Sequence, residues 1–219
     1  MESLLIEQFE LGPLATNCYL VYSGDRAIVV DPGWPSDVEA VYRRVRRLGL
    51  RVEAIIATHG HFDHVLGVGR LRRLLGYEPS FMAHRGDVSM IASAHLVAEQ
   101  WLGLRLDPPP VPDGFLREGS SIRLDSVELG VWETPGHSPG SITLLAEGFV
   151  LVGDVLFRGS IGRVDLPGSS WEEMRRSLRR LTGLPRETRV YPGHGPPTTI
   201  GLELVDNYFV REAVEGGET

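Results

Sequence analysis

Apolar and polar positions along this chain fall into short blocks that switch between a period of two and a helical period. Residues 17–22 and 26–30 are apolar, β-branched runs separated by Ser23-Gly24-Asp25, which predicts a hairpin. Residues 38–48 place apolar side chains at helical spacing, with Ser36 and Glu39 as a capping box ahead of them and Gly49 closing the run. Residues 52–57 predict a buried strand leading straight into Thr58-His59-Gly60-His61-Phe62-Asp63-His64; residues 65–75 predict a helix ending at Gly76, and 79–83 the next strand. Between 93 and 113 the pattern is lost, apart from a helix-like piece at 96–102 ahead of Pro108-Pro109-Pro110-Val111-Pro112, so this segment reads as an insertion or lid. Strands follow at 121–124, 127–133, 141–146 and 149–152, then a helix over 171–181 behind a second capping box, Ser170 and Glu173. A strand at 188–191 and a helix over 200–214 complete the chain. The order strands, helix, strand, helix recurs in each half. It predicts an α/β protein, an αβ/βα sandwich of two mixed β-sheets with helices on the outer faces, as a single domain over 1–219.

Composition narrows the functional classes. With 42% apolar and 23% charged residues among 219, the chain is ordinary globular material, long enough to bury roughly 70% of its surface without staples. All 22 basic residues are arginine, against 29 acidic ones, for a net charge of −7. The arginine runs at 43–47, 70–73 and 175–180 interleave with Val45, Leu48, Leu71, Leu74, Leu178 and Leu181, the pattern of solvated helix faces, so nucleic acid is not the expected partner. Cys18 is the one cysteine and reads as a core thiol; residues 1–11 hold no basic stretch before an apolar run, and no apolar stretch approaches the roughly 20 residues needed to cross a bilayer. The expectation is a cytoplasmic protein without a membrane partner, monomeric or homodimeric.

The chemistry gathers at strand ends. His59, His61, Asp63 and His64 crowd into six residues, and alternate residues of the extended part point one way while those at the start of the next helix turn toward a neighbouring position, so one segment can serve two adjacent ions. Further imidazoles and a carboxylate stand in similar loops: His137 in Pro135-Gly136-His137-Ser138-Pro139-Gly140, Asp154 after Val150-Leu151-Val152-Gly153, and His194 in Tyr191-Pro192-Gly193-His194-Gly195. A nitrogen and oxygen donor set with no thiolate suits zinc, iron or manganese. His84 and His95 lack a partner motif and read as ordinary satisfied histidines, while Trp101 and the proline run read equally as lid or packed loop.

These motifs, with Gly153-Asp154-Val155-Leu156-Phe157 and the run from Thr16-Asn17-Cys18 to Thr198-Thr199-Ile200-Gly201, resemble the metallo-β-lactamase superfamily, and within it the short glyoxalase II-like hydrolases (hydroxyacylglutathione hydrolase-like). The resemblance implies two divalent ions, zinc foremost with iron or manganese as alternatives. His59, His61 and His137 would hold the first, Asp63, His64 and His194 the second, and Asp154 would bridge them. It further implies a supporting role for Asp31, accepting a hydrogen bond from a ligand histidine, and a substrate contact for Arg163. Thr58 and Ser138 are further candidates for support.

Two ions roughly 3.5–4 Å apart can share a hydroxide formed near neutral pH, which would attack an acyl carbonyl with Asp63 orienting it. A thiol leaving group, with a pKa near 8.5, needs little acid assistance, and the likeness to glyoxalase II implies a small anionic acyl thioester as the substrate. In the β-lactamases proper a cysteine takes the place of Asp154 and another residue type that of His64. The chain stops short of glyoxalase II's helical extension, and Asp165 stands where that enzyme has a tyrosine. The competing readings are a mononuclear-iron persulfide dioxygenase, which resembles the chain through Gly162-Arg163-x-Asp165, a lactonase or other ester hydrolase, and a non-catalytic metal or docking protein.

Overall fold

The computed structural model describes residues 4–216, so positions 1–3 of the segment read as carrying no leader lie outside the described residues. Strands β1 (Leu5–Leu11), β2 (Thr16–Ser23) and β3 (Arg26–Val30) form an antiparallel meander. Strands β4 (Arg51–Ile56), β5 (Ser80–His84) and β6 (Gly114–Leu116) continue the sheet in parallel with β3. The second sheet runs antiparallel through β7 (Ser121–Leu124), β8 (Val127–Glu133), β9 (Ile142–Ala146) and β10 (Phe149–Gly153), adds β11 (Arg189–Pro192) parallel to β10, and ends on β12 (Thr198–Thr199). These are the two mixed sheets, with helices outside, that the element order predicts.

Strand alternation builds the layers. On β2, Cys18 and Leu20 face one way and Tyr19 and Val21 the other; on β10, Val150 and Val152 oppose Phe149 and Leu151. Tyr19, Val21, Ile28, Val30, Ile56, Leu129, Leu144 and Leu151 fill the space between the sheets. Outside the first sheet lie α1 (Val38–Leu48), α3 (Val68–Leu75) and α4 (Val88–Leu102), through Val41, Val45, Leu71, Ile91 and Ala98. Outside the second lie α5 (Trp171–Thr182), α6 (Ile200–Asp206) and α7 (Tyr208–Glu215), through Met174, Leu178, Leu181, Ile200 and Val210.

Several elements differ from the sequence reading, each for a local reason. β1 is an edge strand whose Glu7 and Glu10 break its apolar pattern, and β6 has only three residues; neither is signalled in the sequence. Helix α4 runs unbroken from Val88, so residues 93–102 are regular helix and only 103–113 are irregular; its buried stripe uses small residues, Ala94 and Ala98 with Ile91, while Leu96 and Trp101 face solvent. The predicted 65–75 helix is preceded by a separate α2 (Phe62–Val65), and the break falls at Gly67, where a Cβ would lie 2.2 Å from the Pro32 carbonyl oxygen. The terminal helix breaks at buried Asn207, whose Oδ1 accepts from the Phe209 and Val210 N–H groups while its Nδ2 donates to the Phe157 and Ser160 carbonyls.

The Ser36 and Glu39 box does not form: Ser36 Oγ donates to Asp37 Oδ1, and Asp37 Oδ2 accepts from Gly12 N, tying α1 to the β1–β2 turn. Ser170 caps α5 by accepting from Glu173 N at 3.3 Å, but its own N–H goes to the Gly136 carbonyl, so this box is one-sided.

The layer assignment predicts unequal costs for two leucine truncations. Leu144→Ala, in the fully buried inter-sheet core, is expected to cost about 2–5 kcal/mol, whereas Leu96→Ala, 56% exposed, stays within about 0.5 kcal/mol, as urea unfolding midpoints will show.

Candidate metal centre

The parallel pairs β3–β4 and β10–β11 bring their carboxyl ends to one edge of the sandwich. Asp31 follows β3; Thr58, His59 and His61 follow β4; Asp63 and His64 lie in α2; His137 lies between β8 and β9; Asp154 follows β10; and His194 follows β11. The Thr58 carbonyl accepts from Ile142 N at 2.9 Å, stitching the two sheets together beside these loops.

All seven candidate ligand residues converge. Ligand atoms of His59, His61 and His137 lie within 4.8 Å of one another, as do those of Asp63, His64 and His194, and those of Asp154 with His59 and His64. Asp154 touches both triplets: Oδ2 is 3.4 Å from His137 Nε2 and 3.5 Å from His194 Nε2, and Oδ1 is 3.5 Å from His64 Nε2.

The outer ring nitrogens show which lone pairs face inward. Thr58 Oγ1 donates to Asp31 Oδ2 at 2.6 Å, so it can only accept from His59 Nδ1, 3.2 Å away, which leaves His59 Nε2 unprotonated. Asp31 Oδ2 also stands 3.0 Å from His64 Nδ1, the Arg163 carbonyl 2.8 Å from His137 Nδ1, and the Leu14 carbonyl 3.1 Å from His194 Nδ1. In each case an oxygen acceptor fixes the tautomer and aims Nε2 at the centre, the arrangement that accompanies metal-ligating histidines. His61 Nδ1 then sits 3.1 Å from His59 Nε2 and 2.8 Å from His137 Nε2, so a single proton on His61 cannot satisfy both facing lone pairs. His64 Nε2 and Asp154 Oδ1 are buried with no hydrogen-bond partner. Converging imidazole and carboxylate donors with orphaned buried atoms fit divalent cations, and the coordinating atoms are all nitrogen and oxygen.

Without ions, electrostatics divides the donors into two groups. Burial and the neighbouring imidazoles His64, His137 and His61 push the His59 pKa well down, and burial with His137 pushes His61 to about 4, so both imidazoles are neutral and ready to ligate. Burial opposes charge on Asp63 and His64 as well, but there the attraction between opposite charges wins: His64 and His194 hold the Asp63 carboxyl well below its usual range, while Asp63, Asp31 and Asp154 hold His64 well above its own.

Residues the sequence reading passed over complete the site. Thr16 Oγ1 donates to Asp63 Oδ2 at 2.8 Å, and the Asn17 side chain and the Tyr19 hydroxyl donate to the Pro192 and Gly195 carbonyls, clamping the His194 loop. Leu14 and Arg163 serve His194 and His137 through their backbone oxygens, and no side-chain pattern reveals a backbone acceptor. Asp31 holds a positive φ of 53° so that one carboxylate reaches Thr58 and His64 together. The Arg163 guanidinium is exposed and paired with Asp165 at 2.9 Å. Ser138 Oγ donates to Asp87, not to a ligand imidazole. His84 pairs with Glu133 at 3.1 Å as a satisfied histidine, whereas His95, on α4, has a buried Nδ1 without a hydrogen-bond partner and so departs from that expectation; neither joins a ligand group. Trp101 packs edge-on against Phe62 at 6.1 Å between ring centroids.

The model of the Metallo-beta-lactamase superfamily matches residues 11–194. The chain belongs to that superfamily. A hydroxyacylglutathione hydrolase GloC from Haemophilus influenzae is 32% identical over 94% of this chain and 98% of its own. Among solved structures, the BLEG-1 B3 metallo-beta-lactamase superposes with a TM-score of 0.85 at 34% identity, covering 94% of this chain and 99% of that one. TTHA1623, crystallised in a di-iron-bound form, superposes at 0.82 with 42% identity over 93% and 99%. The chain is thus a member of a metallo-hydrolase superfamily, and its His/Asp cluster has the donors that dinuclear members of such a superfamily require. No helix among the described residues is long and apolar enough to cross a membrane.

Gly193 leaves no room for a side chain beside this centre. A Cβ there would lie 2.0 Å from Asp154 Oδ1 and 2.9 Å from His64 Cε1, so Gly193→Ala must displace Asp154. The variant is expected to lose about 1–3 kcal/mol of stability through overpacking and to bind fewer ions per chain than the parent, as elemental analysis after zinc loading will show.

Proposed function

We propose that the protein hydrolyses small anionic acyl thioesters of the hydroxyacyl-thiol type. The observation that carries this reading is the carboxylate of Asp154, set between two ligand triplets whose imidazoles are pre-oriented by oxygen acceptors. His59, His61 and His137 would hold one divalent ion, Asp63, His64 and His194 the other, and Asp154 both; zinc is the first choice, iron or manganese the next. When bound, such a pair supplies water activated near neutral pH and electrostatic stabilisation of a developing acyl oxyanion.

The remaining tasks fall to the chain itself. Asp63 is held ionised, and its Oδ2, which accepts from Thr16 and lies 3.3 Å from His64 Nε2 and 3.2 Å from His194 Nε2, would orient the attacking water. The departing thiolate is a weak base and requires no dedicated acid, which matches a site whose His59 and His61 are neutral. Arg163 lies beside the centre through its own carbonyl, and its exposed pair with Asp165 exchanges readily for a carboxylate on the substrate. Likeness to GloC supports a glutathione-type thiol, and a cytoplasmic setting suits both that thiol and the unpaired Cys18. Likeness to BLEG-1 favours a second reading, hydrolysis of a β-lactam amide, which the same assay tests beside the thioester.

The zinc-loaded protein is expected to release thiol from a hydroxyacyl-glutathione thioester without consuming oxygen. Asp63→Asn should lower kcat by about 10²–10³-fold, the usual cost of removing one electrostatic group from a reacting centre. Arg163→Ala should raise KM with kcat little changed. Oxygen uptake on a persulfide by protein carrying one iron, with no thiol released from the thioester, would replace this reading with the dioxygenase; turnover of a β-lactam alone would replace it with the second.

A further inference from the structure

Asp87 stands at the N-cap position of α4, where an aspartate normally caps its own helix, yet its side chain makes no cap bond. It is 1% exposed, and among the described residues no cation pairs with it. Its carboxylate is turned instead toward the two loops that carry His59, His61 and His137. Oδ2 accepts from Gly60 N at 2.8 Å and from Ser138 Oγ at 2.6 Å, and Oδ1 accepts from Gly140 N at 2.7 Å. Gly60 lies between His59 and His61, and Ser138 follows His137 directly. The fit is close: a Cβ on Gly60 would meet Asp87 Cβ at 2.8 Å, and one on Gly140 would meet Asp87 Cγ at 2.6 Å.

Burying a carboxylate is costly unless donors replace its lost water, and here three donors from two sheets do so. Nothing comparable ties Asp87 to the other triplet. Asp63 is held by Thr16, His64 by Asp31, and His194 by Leu14 and the Asn17 clamp. We infer that Asp87 is a positioning residue for the His59, His61 and His137 triplet alone, fixing the spacing of its two loops and so setting the affinity of one ion of the pair. The inference rests on the two-ion reading above.

The side chain permits a sharp substitution. Asp87→Asn keeps the shape but leaves one acceptor oxygen, so the amide must direct its N–H at a donor on one of the two loops. Chelator-stripped protein would be titrated with zinc by calorimetry and its unfolding temperature recorded without metal. The parent is expected to take up two ions. Asp87→Asn should bind one ion as the parent does and the other about 10–100-fold more weakly, the usual effect of losing a residue that orients a ligand. Ser138→Ala, which keeps the carboxylate and removes one donor, should weaken the same ion by less and covers the case in which Asp87→Asn fails to fold.

Paired variants identify the triplet. In a His194→Ala background, Asp87→Asn should weaken the one remaining ion; in a His61→Ala background it should leave the remaining ion unchanged. Equal weakening of both ions, or a lowered unfolding temperature with unaltered affinities, would overturn the assignment and make Asp87 an ordinary structural residue. A parent that binds fewer than two ions would overturn the two-ion reading itself and this inference with it.

Discussion

The constraint on which the rest of the structure turns is the carboxylate of Asp154, buried among three imidazole nitrogens at 3.4–3.5 Å. An isolated folded chain gains nothing from such a cluster. His64 Nε2 and Asp154 Oδ1 are buried without partners, and His61 Nδ1 crowds to 3.1 Å from His59 Nε2 and 2.8 Å from His137 Nε2. Each orphaned buried group costs on the order of 1–3 kcal/mol, so the arrangement survives because the surrounding fold over-determines it and because cations can satisfy it. Ion binding and stability are therefore linked: whatever fills the centre stabilises the native chain relative to the unfolded one.

The fold meets this constraint by using both sheets at once. Their apolar inner faces pack through residues such as Ile56, Leu144 and Leu151, which fixes the distance between the ends of β4, β8, β10 and β11 before any ligand side chain is placed. Direct backbone and side-chain bonds then refine it. Ile142 donates to Thr58, Asn17 to Pro192, and Thr16 to Asp63, each crossing between elements far apart in sequence. Thr58 and Asp31 form a short chain that serves His59 in one triplet and His64 in the other, so one strained aspartate sets two tautomers.

Much of this was legible in the sequence, for a physical reason. Ligands need specific side chains, and the loops that bring backbones close need glycine and proline, so His59 to His64, His137, Asp154 and His194 announce themselves by type and setting together. The two-sheet architecture was legible too, because period-two runs and amphipathic helices alternate in a fixed order. What was not legible rests on interactions without a pattern. Carbonyls of Leu14 and Arg163 orient imidazoles, and any residue can supply a carbonyl. Asp87 sits in Arg85-Gly86-Asp87, which carries no motif, and its partners are backbone N–H groups. Helix α4 was hidden because its buried face is built from alanine, so the exposed Leu96 and Trp101 blur the helical pattern. Asn207 breaks the terminal helix through tertiary bonds to residues nearly fifty positions earlier, which local propensity does not record.

The two triplets are supported from different parts of the molecule, and this asymmetry bears on how such a site works. His194 and Asp63 depend on the start of β2 and the turn before it, where Leu14 reaches His194 in a loop of the second sheet and Thr16 reaches Asp63 in α2. His61 and His137 depend on Asp87, at the base of a fifteen-residue helix packed on the first sheet. On the two-ion reading, a disturbance of the β1–β2 turn is felt at one ion and a disturbance of α4 at the other. Reactions that need both ions are sensitive to either, but chemistry that needs only one can persist when the other triplet loosens. Chains sharing all seven ligand residues can therefore differ in how many ions they use, through residues that touch no metal. The substrate-facing surface adds a further independent element, since Arg163 contributes its carbonyl to His137 and its guanidinium to solvent. Its side chain can change to suit another substrate while the backbone oxygen that orients the ligand stays in place.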